Sequence, residues 1–333
     1  MDLADGLVCA DGPIPSLAHL SLQPTHRRGW ASSYAALSHG RINVERLRRL
    51  LATQPPLHPQ RPLWVVDVTS WPRPEAACSP QRRWCHDPTR RTHGKPVVAG
   101  WPYSLLVGVG LEASSWTQPL DAVRLGPGQS ASQVAAAQLR GLTQRVPPAQ
   151  LAARPLVLLD SHYDPSQLQC DLADVNLQLL IRLRSNRCFY FDPPPRQPGR
   201  PGRPARHGHK LAVHDPTTWP EPTATWQADT TRGRVAVACW TGVHPRQRQP
   251  GQWPTVRGSL LRVELDRPAT TTGHRRPPQQ WWLWWAGLAE QPDLELAWRA
   301  YQRRFAVEHT IRFDKQQLCW TTPRPRTPAQ ADR

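Results

Sequence analysis

The sequence predicts a mixed α/β fold. Two buried-type β runs each carry an aspartate at the end of their apolar part: LWVVDVTSW at 63–71 and RPLVLLDSHYD at 154–164. The second run is followed by a helical stretch at 165–176 and a further strand at 177–185. Strands that alternate with helices indicate a mixed sheet, in which ligands gather at the strand ends.

The N-terminal part, residues 1–55, is predicted to be a small helical segment. Residues 32–54 place leucine, isoleucine and valine side chains on one side of a helix and arginines on the other. Such a basic amphipathic helix could lie on DNA or cover a core with its polar face in water. The proline-rich stretch 55–62 ends it.

Residues 56–185 contain the predicted strands and helices of the main domain. Besides the runs given above, strands are predicted at 100–112 and 114–126, and a helix at 131–146. Asp67 is unusual, because a carboxylate within an apolar strand costs several kcal/mol unless it is paired or binds a cation. The alternative is that Asp67 caps a turn at the end of the strand.

Residues 186–285 are predicted to form an all-β insertion. The proline- and arginine-rich stretch 191–210 cannot be regular structure, and it is either a linker or a loop that follows phosphates. Short strands follow at 234–240 and 259–265. The run WWLWW at 281–285 is more typical of a core strand than of a platform on which a base stacks.

Residues 293–320 are predicted to form one helix that begins at Asp293. At 100° per residue, four polar side chains fall within a sector of roughly 60°. They are Tyr301, Arg304, Glu308 and Lys315, with Leu294, Trp298 and Phe305 beside them. Either these charges share an inward face with apolar anchors, or they form i,i+4 pairs on a solvated helix.

Charge and composition favour a nucleic-acid partner. The chain has 42 Lys and Arg against 25 Asp and Glu, a formal net charge of +17, and only three of the basic residues are lysines. A GC-rich coding sequence explains the choice of Arg over Lys, but not the surplus of positive charge.

Other features argue against membrane, secreted and zinc proteins. No apolar run reaches 18 residues, and the acidic N-terminus lacks the basic region of a secretory signal. The seven cysteines are scattered, and Cys78 and Cys85 with their neighbouring histidines lack a usual zinc spacing. We therefore expect reduced thiols and a cytoplasmic location.

The spacing Tyr301-x2-Arg304-x3-Glu308-x6-Lys315 matches the Y-R-E-K signature of a large class of bacterial insertion-sequence transposases. The segment from Arg303 to the end also resembles the DDE superfamily transposases of high-GC bacteria. This resemblance implies a ribonuclease-H-like core, interrupted by the 186–285 insertion and completed by a helix within 286–333. It also implies that the protein cuts the ends of a mobile element and joins them to target DNA.

The resemblance further implies roles for particular residues. Asp67, Asp160 and Glu308 would be the catalytic carboxylates and would hold Mg²⁺, with Mn²⁺ as a substitute, since hard oxygen ligands suit these ions. The implied DNA-binding residues are Tyr301, Arg304 and Lys315, with Arg312 as a possible assistant on the same face and Trp281 or Trp282 as a stack for a flipped base. The partner would be double-stranded DNA, bound by a homodimer.

Two departures from the resemblance leave alternatives open. The chain stops 25 residues after Glu308, as a C-terminally truncated element would, and His162 and Tyr163 stand where smaller residues are usual. One alternative is a nuclease of the same fold that does not transfer strands. Others are an inactive, truncated DNA-binding remnant and a basic structural protein without a site.

Overall fold

The structure is a computed structural model that describes residues 2–86, 96–112, 114–195, 205–246, 255–266 and 279–332. It divides into two compact units. The first unit consists of residues 1–57, 65–150 and 305–333, and the second consists of residues 58–64 and 151–304. Within the described residues, no helix is both long and apolar enough to cross a membrane.

The elements combine helices with a mostly antiparallel set of strands, so the fold is mixed α/β. The helices are α1 (Asp2–Val8), α2 (Leu17–Leu20), α3 (Trp30–His39), α4 (Val44–Ala52), α5 (Ala131–Arg145), α6 (Pro165–Asp171), α7 (Leu294–Arg303), α8 (Ala306–Gln316) and α9 (Pro328–Ala331). The strands are β1 (Leu63–Pro72), β2 (Arg83–His86), β3 (Val97–Val109), β4 (Thr117–Arg124), β5 (Leu156–Leu159), β6 (Gln178–Leu183), β7 (Cys188–Tyr190), β8 (Lys210–Ala212), β9 (Ala224–Thr230), β10 (Gly233–Pro245), β11 (Gly258–Asp266) and β12 (Gln279–Ala286).

In the first unit, strands are ordered β2-β3-β1, and β4 pairs with β3. Helix α5 begins at Ser130 with a capping box and turns its Val134, Leu139 and Leu142 side chains into the core. Its Gln138 accepts a buried hydrogen bond of 2.6 Å from the Ser104 hydroxyl on β3. Residues 1–55 contain helices α1–α4, and the single helix predicted over 32–54 is divided into α3 and α4.

The end of the chain also packs on the first unit. Trp320 joins a cluster with Trp71 and Tyr103, at ring-centroid distances of 5.9 and 5.3 Å. Asp332 accepts hydrogen bonds from the Tyr103 hydroxyl and from Arg124 Nε, both at 2.9 Å. Aromatic packing and these polar bonds hold this terminal segment in place.

In the second unit, strands are ordered β5-β6-β12-β11-β10-β7-β8, and β9 pairs with β10. Strands β5 and β6 are parallel, with Leu159 opposite Ile181, and α6 lies between them in sequence. The β6–β12, β12–β11, β11–β10 and β10–β7 pairs are antiparallel. The carboxyl ends of β5 and β6 therefore lie at the same edge as the start of β12.

The prediction of one helix over 293–320 is wrong. It begins as expected, because Asp293 caps it by accepting from the Leu296 N–H at 2.9 Å. The helix is then interrupted at Arg304 and Phe305, where the N–H groups of Arg304 and Glu308 bond to carbonyls three residues back, each at 3.2 Å. These tighter turns separate α7 from α8, so a uniform 100° projection fails across the break.

Candidate active site and DNA interface

The candidate site of the second unit begins at the carboxyl end of β5. The four residues of β5 are all buried, and Asp160 follows at once, as predicted. A short turn then leads to Asp164, which caps α6 by accepting from the Ser166 and Gln167 N–H groups at 2.9 and 3.1 Å. The buried strand and the capped helix fix this turn at both ends.

Asp160 is held by His162, one of the two residues in which this chain departs from the resemblance. Asp160 Oδ1 accepts from the His162 N–H at 2.9 Å, and Oδ2 accepts from the His162 ring Nδ1 at 2.6 Å. The Asp160 side chain is 17% exposed, whereas that of His162 is 74% exposed. The carboxylate is therefore oriented from the solvent side and still reaches water.

An open cleft of about 610 Å³ lies beside this turn. It is lined by Ser161, Arg182, Leu183, Arg184, Ser185, Asn186, Gln280, Trp281 and Trp282. Arg184 donates from Nε to the Ser161 carbonyl at 3.2 Å, which ties the end of β6 to the end of β5. The cleft therefore occupies the strand-end edge at which a mixed sheet places its ligands.

Tyr301 and Arg304 on the C-terminal side of α7 are buried, at 2% and 6% exposure. The Arg304 Cζ lies 5.9 Å from the centre of the Tyr301 ring. Burial raises the pKa of the Tyr301 phenol, Arg304 and Arg182 oppose this increase, and Asp160 adds to it. Both side chains are therefore shielded from solvent in this structure, and their predicted role as DNA contacts stays a prediction.

The two tryptophans assigned to base stacking have different surroundings. Trp282 is 5% exposed and packs between Trp240, at 5.6 Å, and Trp219, at 5.0 Å. Its ring belongs to a core cluster in this structure, and its predicted role in base stacking stays a prediction. Trp281 is half-buried, with its ring centre 5.7 Å from that of Trp298, and it borders the cleft.

The first unit holds the other predicted site residues. Asp67 lies in the middle of β1, not at its end, and its Oδ1 accepts from the Val68 N–H at 2.8 Å. Glu308 is exposed in the first turn of α8 and so does not share the buried face of Tyr301. Arg312 is exposed, and Lys315 donates from Nζ to the Ser70 carbonyl of β1 at 2.8 Å.

A family model described as DDE superfamily endonuclease matches residues 3–272. The chain belongs to the DDE superfamily endonucleases. No curated protein matches it. The match to this endonuclease family includes Asp67, Asp160 and the β6 side of the cleft. Trp281, Trp282 and the segment that carries Glu308 lie beyond its end.

The three predicted catalytic carboxylates of this DDE endonuclease can be compared with the ligands that a divalent metal ion requires. Asp67, Asp160 and Glu308 are oxygen donors of the kind that Mg²⁺ and Mn²⁺ prefer. As arranged in the structure, however, the described residues contain no group of three or more His, Cys, Asp or Glu side chains that could hold a metal ion. The donor types of the three carboxylates fit the ion.

Sequence reasoning missed several cleft residues of this DDE endonuclease. Arg182 and Arg184 belong to the predicted strand at 177–185 and Asn186 to the predicted insertion at 186–285, and neither these residues nor Gln280 were predicted to be functional. One signal was available, since the strand at 177–185 is the immediate neighbour of the strand that ends at Asp160. If these two strands are parallel, polar residues at the carboxyl end of the 177–185 strand lie beside Asp160.

Proposed function

We propose that this DDE endonuclease is a transposase that cuts the ends of a mobile element and joins them to target DNA. The observation that carries the proposal is Asp160, an oriented and partly exposed carboxylate beside an arginine-lined cleft in a chain of this family. The net charge of +17 supports double-stranded DNA as the substrate. A homodimer bound to DNA, as the resemblance implies, is part of the proposal.

The three carboxylates are assigned the catalytic role. Asp67, Asp160 and Glu308 are the oxygen donors proposed to hold Mg²⁺ or Mn²⁺, which when bound would supply charge stabilisation at the reacting phosphate. His162 keeps the Asp160 carboxylate oriented through its two hydrogen bonds. We propose that the three carboxylates hold the ion together when DNA is bound.

The other predicted site residues are proposed either to contact DNA or to support the site. Arg312 and Glu308 are exposed on α8, so Arg312 is available for a phosphate contact, and Lys315 is proposed to contribute its positive charge nearby. Tyr301 and Arg304 are proposed as positioning residues, because both are buried and Asp160 acts electrostatically on the Tyr301 phenol. If the reaction passes through a DNA hairpin on the flanking DNA, the base left unpaired there is proposed to stack on Trp281.

A cleavage assay tests the proposal. A labelled duplex with the element's own end is incubated with Mg²⁺ or Mn²⁺, and wild type is compared with Asp160→Asn. The matched control is Asp229→Asn, an equal loss of charge at an exposed position on β9. We expect metal-dependent cleavage that Asp160→Asn abolishes and Asp229→Asn retains. Absence of cleavage in the wild type, or full activity of Asp160→Asn, would reject the proposal.

A nuclease that does not transfer strands is the second candidate. The matched family is described by its cutting activity alone, and this observation favours it. The two candidates differ in their products, because a transposase also joins the cut 3′ ends to a second duplex. Supplying unlabelled target DNA and looking for labelled joined products distinguishes them.

A catalytically inactive DNA-binding remnant is the third reading. The segment that carries Glu308 lies beyond the residues that the family model matches, and this observation favours the third reading. It predicts that wild type and Asp160→Asn both bind DNA, and that neither protein cleaves it in the presence of Mg²⁺ or Mn²⁺.

The role of Trp281 is tested separately from cutting. Trp281→Ala is expected to nick the element end at the wild-type rate but to produce less hairpin, since nicking requires no unpaired base. A normal hairpin yield would remove Trp281 from this role.

A further inference from the structure

The cleft beside Asp160 contains several polar side chains to which no role was assigned. Arg184, Ser185 and Asn186 form the exposed turn that leaves β6, Arg182 lies in β6 itself, and Gln280 opens β12. The described residues that line the cleft include two arginines and no carboxylate. A cleft with this charge is suited to an anion.

The arginines are positioned by the sheet. Arg182 lies opposite Leu283 in the β6–β12 register and acts electrostatically on the buried Tyr301, so it occupies the α7 side of the sheet. Arg184 uses its Nε to bond the Ser161 carbonyl, and this bond fixes the direction of its two terminal nitrogens. A guanidinium oriented in this way can bind two phosphate oxygens at once.

The walls of the cleft strengthen this interaction. Leu183 and Trp282 are buried and Trp281 is half-buried, so one side of the cleft is apolar. An ion pair beside an apolar wall is less screened by water than one on an open surface. Ser185 and Asn186 are exposed at the mouth of the cleft, where they can donate hydrogen bonds to further oxygens of a bound phosphate backbone.

We propose that Arg182, Arg184, Ser185 and Asn186 form a phosphate-binding site for the DNA strand that Asp160 acts on. The site binds the sugar-phosphate backbone, and its role is to hold that strand beside the carboxylate. This inference rests on the proposed function for the identity of the strand. The binding itself can be measured without cleavage.

Arg184→Gln is the main test, because Arg184 is exposed and its loss leaves the strands intact. The control is Arg232→Gln, an exposed arginine in the turn between β9 and β10. Fluorescence anisotropy with a labelled duplex in EDTA gives the dissociation constant at several salt concentrations. For Arg184→Gln we expect weaker binding and a salt slope reduced by about one, as loss of one phosphate contact produces. Arg232→Gln should keep the wild-type slope.

Charge-preserving and charge-adding variants complete the test. Arg184→Lys should keep the salt slope but bind more weakly, because lysine lacks the Nε bond and the planar fork. Asn186→Asp places a negative charge at the cleft mouth and should weaken binding more than Asn176→Asp, an exposed control before β6. If Arg184→Gln and Asn186→Asp bind as their controls do, the phosphate site is rejected.

The outcomes separate this proposal from the proposed function. Wild-type cleavage together with a normal Arg184→Gln salt slope would reject the phosphate site and retain the endonuclease. A reduced slope in Arg184→Gln without any wild-type cleavage would reject the active endonuclease and support the phosphate site.

Discussion

The Asp160 carboxylate is joined to His162 by both of its oxygens, one to the backbone N–H and one to the ring. The ring bond is short, at 2.6 Å, and the imidazole is mostly exposed. Asp160 therefore has a fixed orientation although it follows the end of a strand. Removing the His162 ring would therefore change that orientation without removing the carboxylate.

His162→Ala is predicted to reduce cleavage without abolishing it. The backbone bond from residue 162 remains, but the ring bond to Oδ2 is lost, and loss of such a supporting partner typically costs about tenfold or more in activity. Single-turnover cleavage rates measure the effect, and His214→Ala, at an exposed position, is the control. A wild-type rate for His162→Ala would show that the ring does not support Asp160.

Glu45 is predicted to make the stability of the first unit depend on pH in the acid range. Hydrogen bonding and charge attraction from Arg145, helped by Arg49, lower the pKa of Glu45 from 4.5 to about 2. The carboxylate therefore stabilises the fold above its unfolded pKa, and this stabilisation is lost as pH falls from 4.5 towards 2.

Urea unfolding at pH 6 and pH 3 measures the Glu45 contribution. Glu45→Gln should be less stable than wild type at pH 6, and the difference should shrink at pH 3. The double variant with Arg145→Gln should lose little more than either single variant, because the two side chains bond at 2.9 Å. Additive losses would show that the two residues act independently.

Asp332 is predicted to stabilise the first unit although it lies near the end of the chain. Asp332→Ala removes its bonds to the Tyr103 hydroxyl and to Arg124, and should cost about 1 kcal/mol because the pair is partly exposed. Thermal unfolding measures the loss, with Asp11→Ala, an exposed position before α2, as the control. Equal melting temperatures for the two variants would contradict the prediction.

Trp281 and Trp282 are predicted to differ in their contribution to stability. Trp282→Ala empties a position between two other tryptophans and should cost roughly 3–5 kcal/mol of unfolding free energy. Trp281→Ala should cost only about 1–2 kcal/mol, because its side chain is partly exposed and leaves less buried surface to lose. Urea unfolding of the two variants checks the order, and a reversed order would mean that the packing differs from that described.

The end of β5 could be predicted from the sequence, whereas the end of β1 could not. Four apolar residues stop abruptly at Asp160, so the change of polarity marks the boundary. After Asp67 the sequence continues with Val68, Thr69 and Trp71, which favour a strand, and β1 runs on to Pro72. The strand range was therefore predicted well, but the place of Asp67 within it was not.

The break between α7 and α8 could not be predicted from local sequence. Neither proline nor glycine occurs at Arg304 or Phe305, and the pattern continues through them. Burial decides the outcome, because Arg304 is enclosed and the adjacent Phe305 is 37% exposed. Likewise, the cleft arginines could not be told from the many other arginines until strand pairing placed them beside Asp160.

The break at residues 304 and 305 is also where one compact unit gives way to the other. The four residues that resemble a Y-R-E-K signature are therefore divided between the units, with Tyr301 and Arg304 in the second and Glu308 and Lys315 in the first. A saturation library across 301–315 should show this division. Substitutions at the buried Tyr301 and Arg304 should lower the expression level and the half-life of the protein. Substitutions at the exposed Glu308 and Arg312 should leave protein abundance unchanged and alter only DNA binding or cleavage.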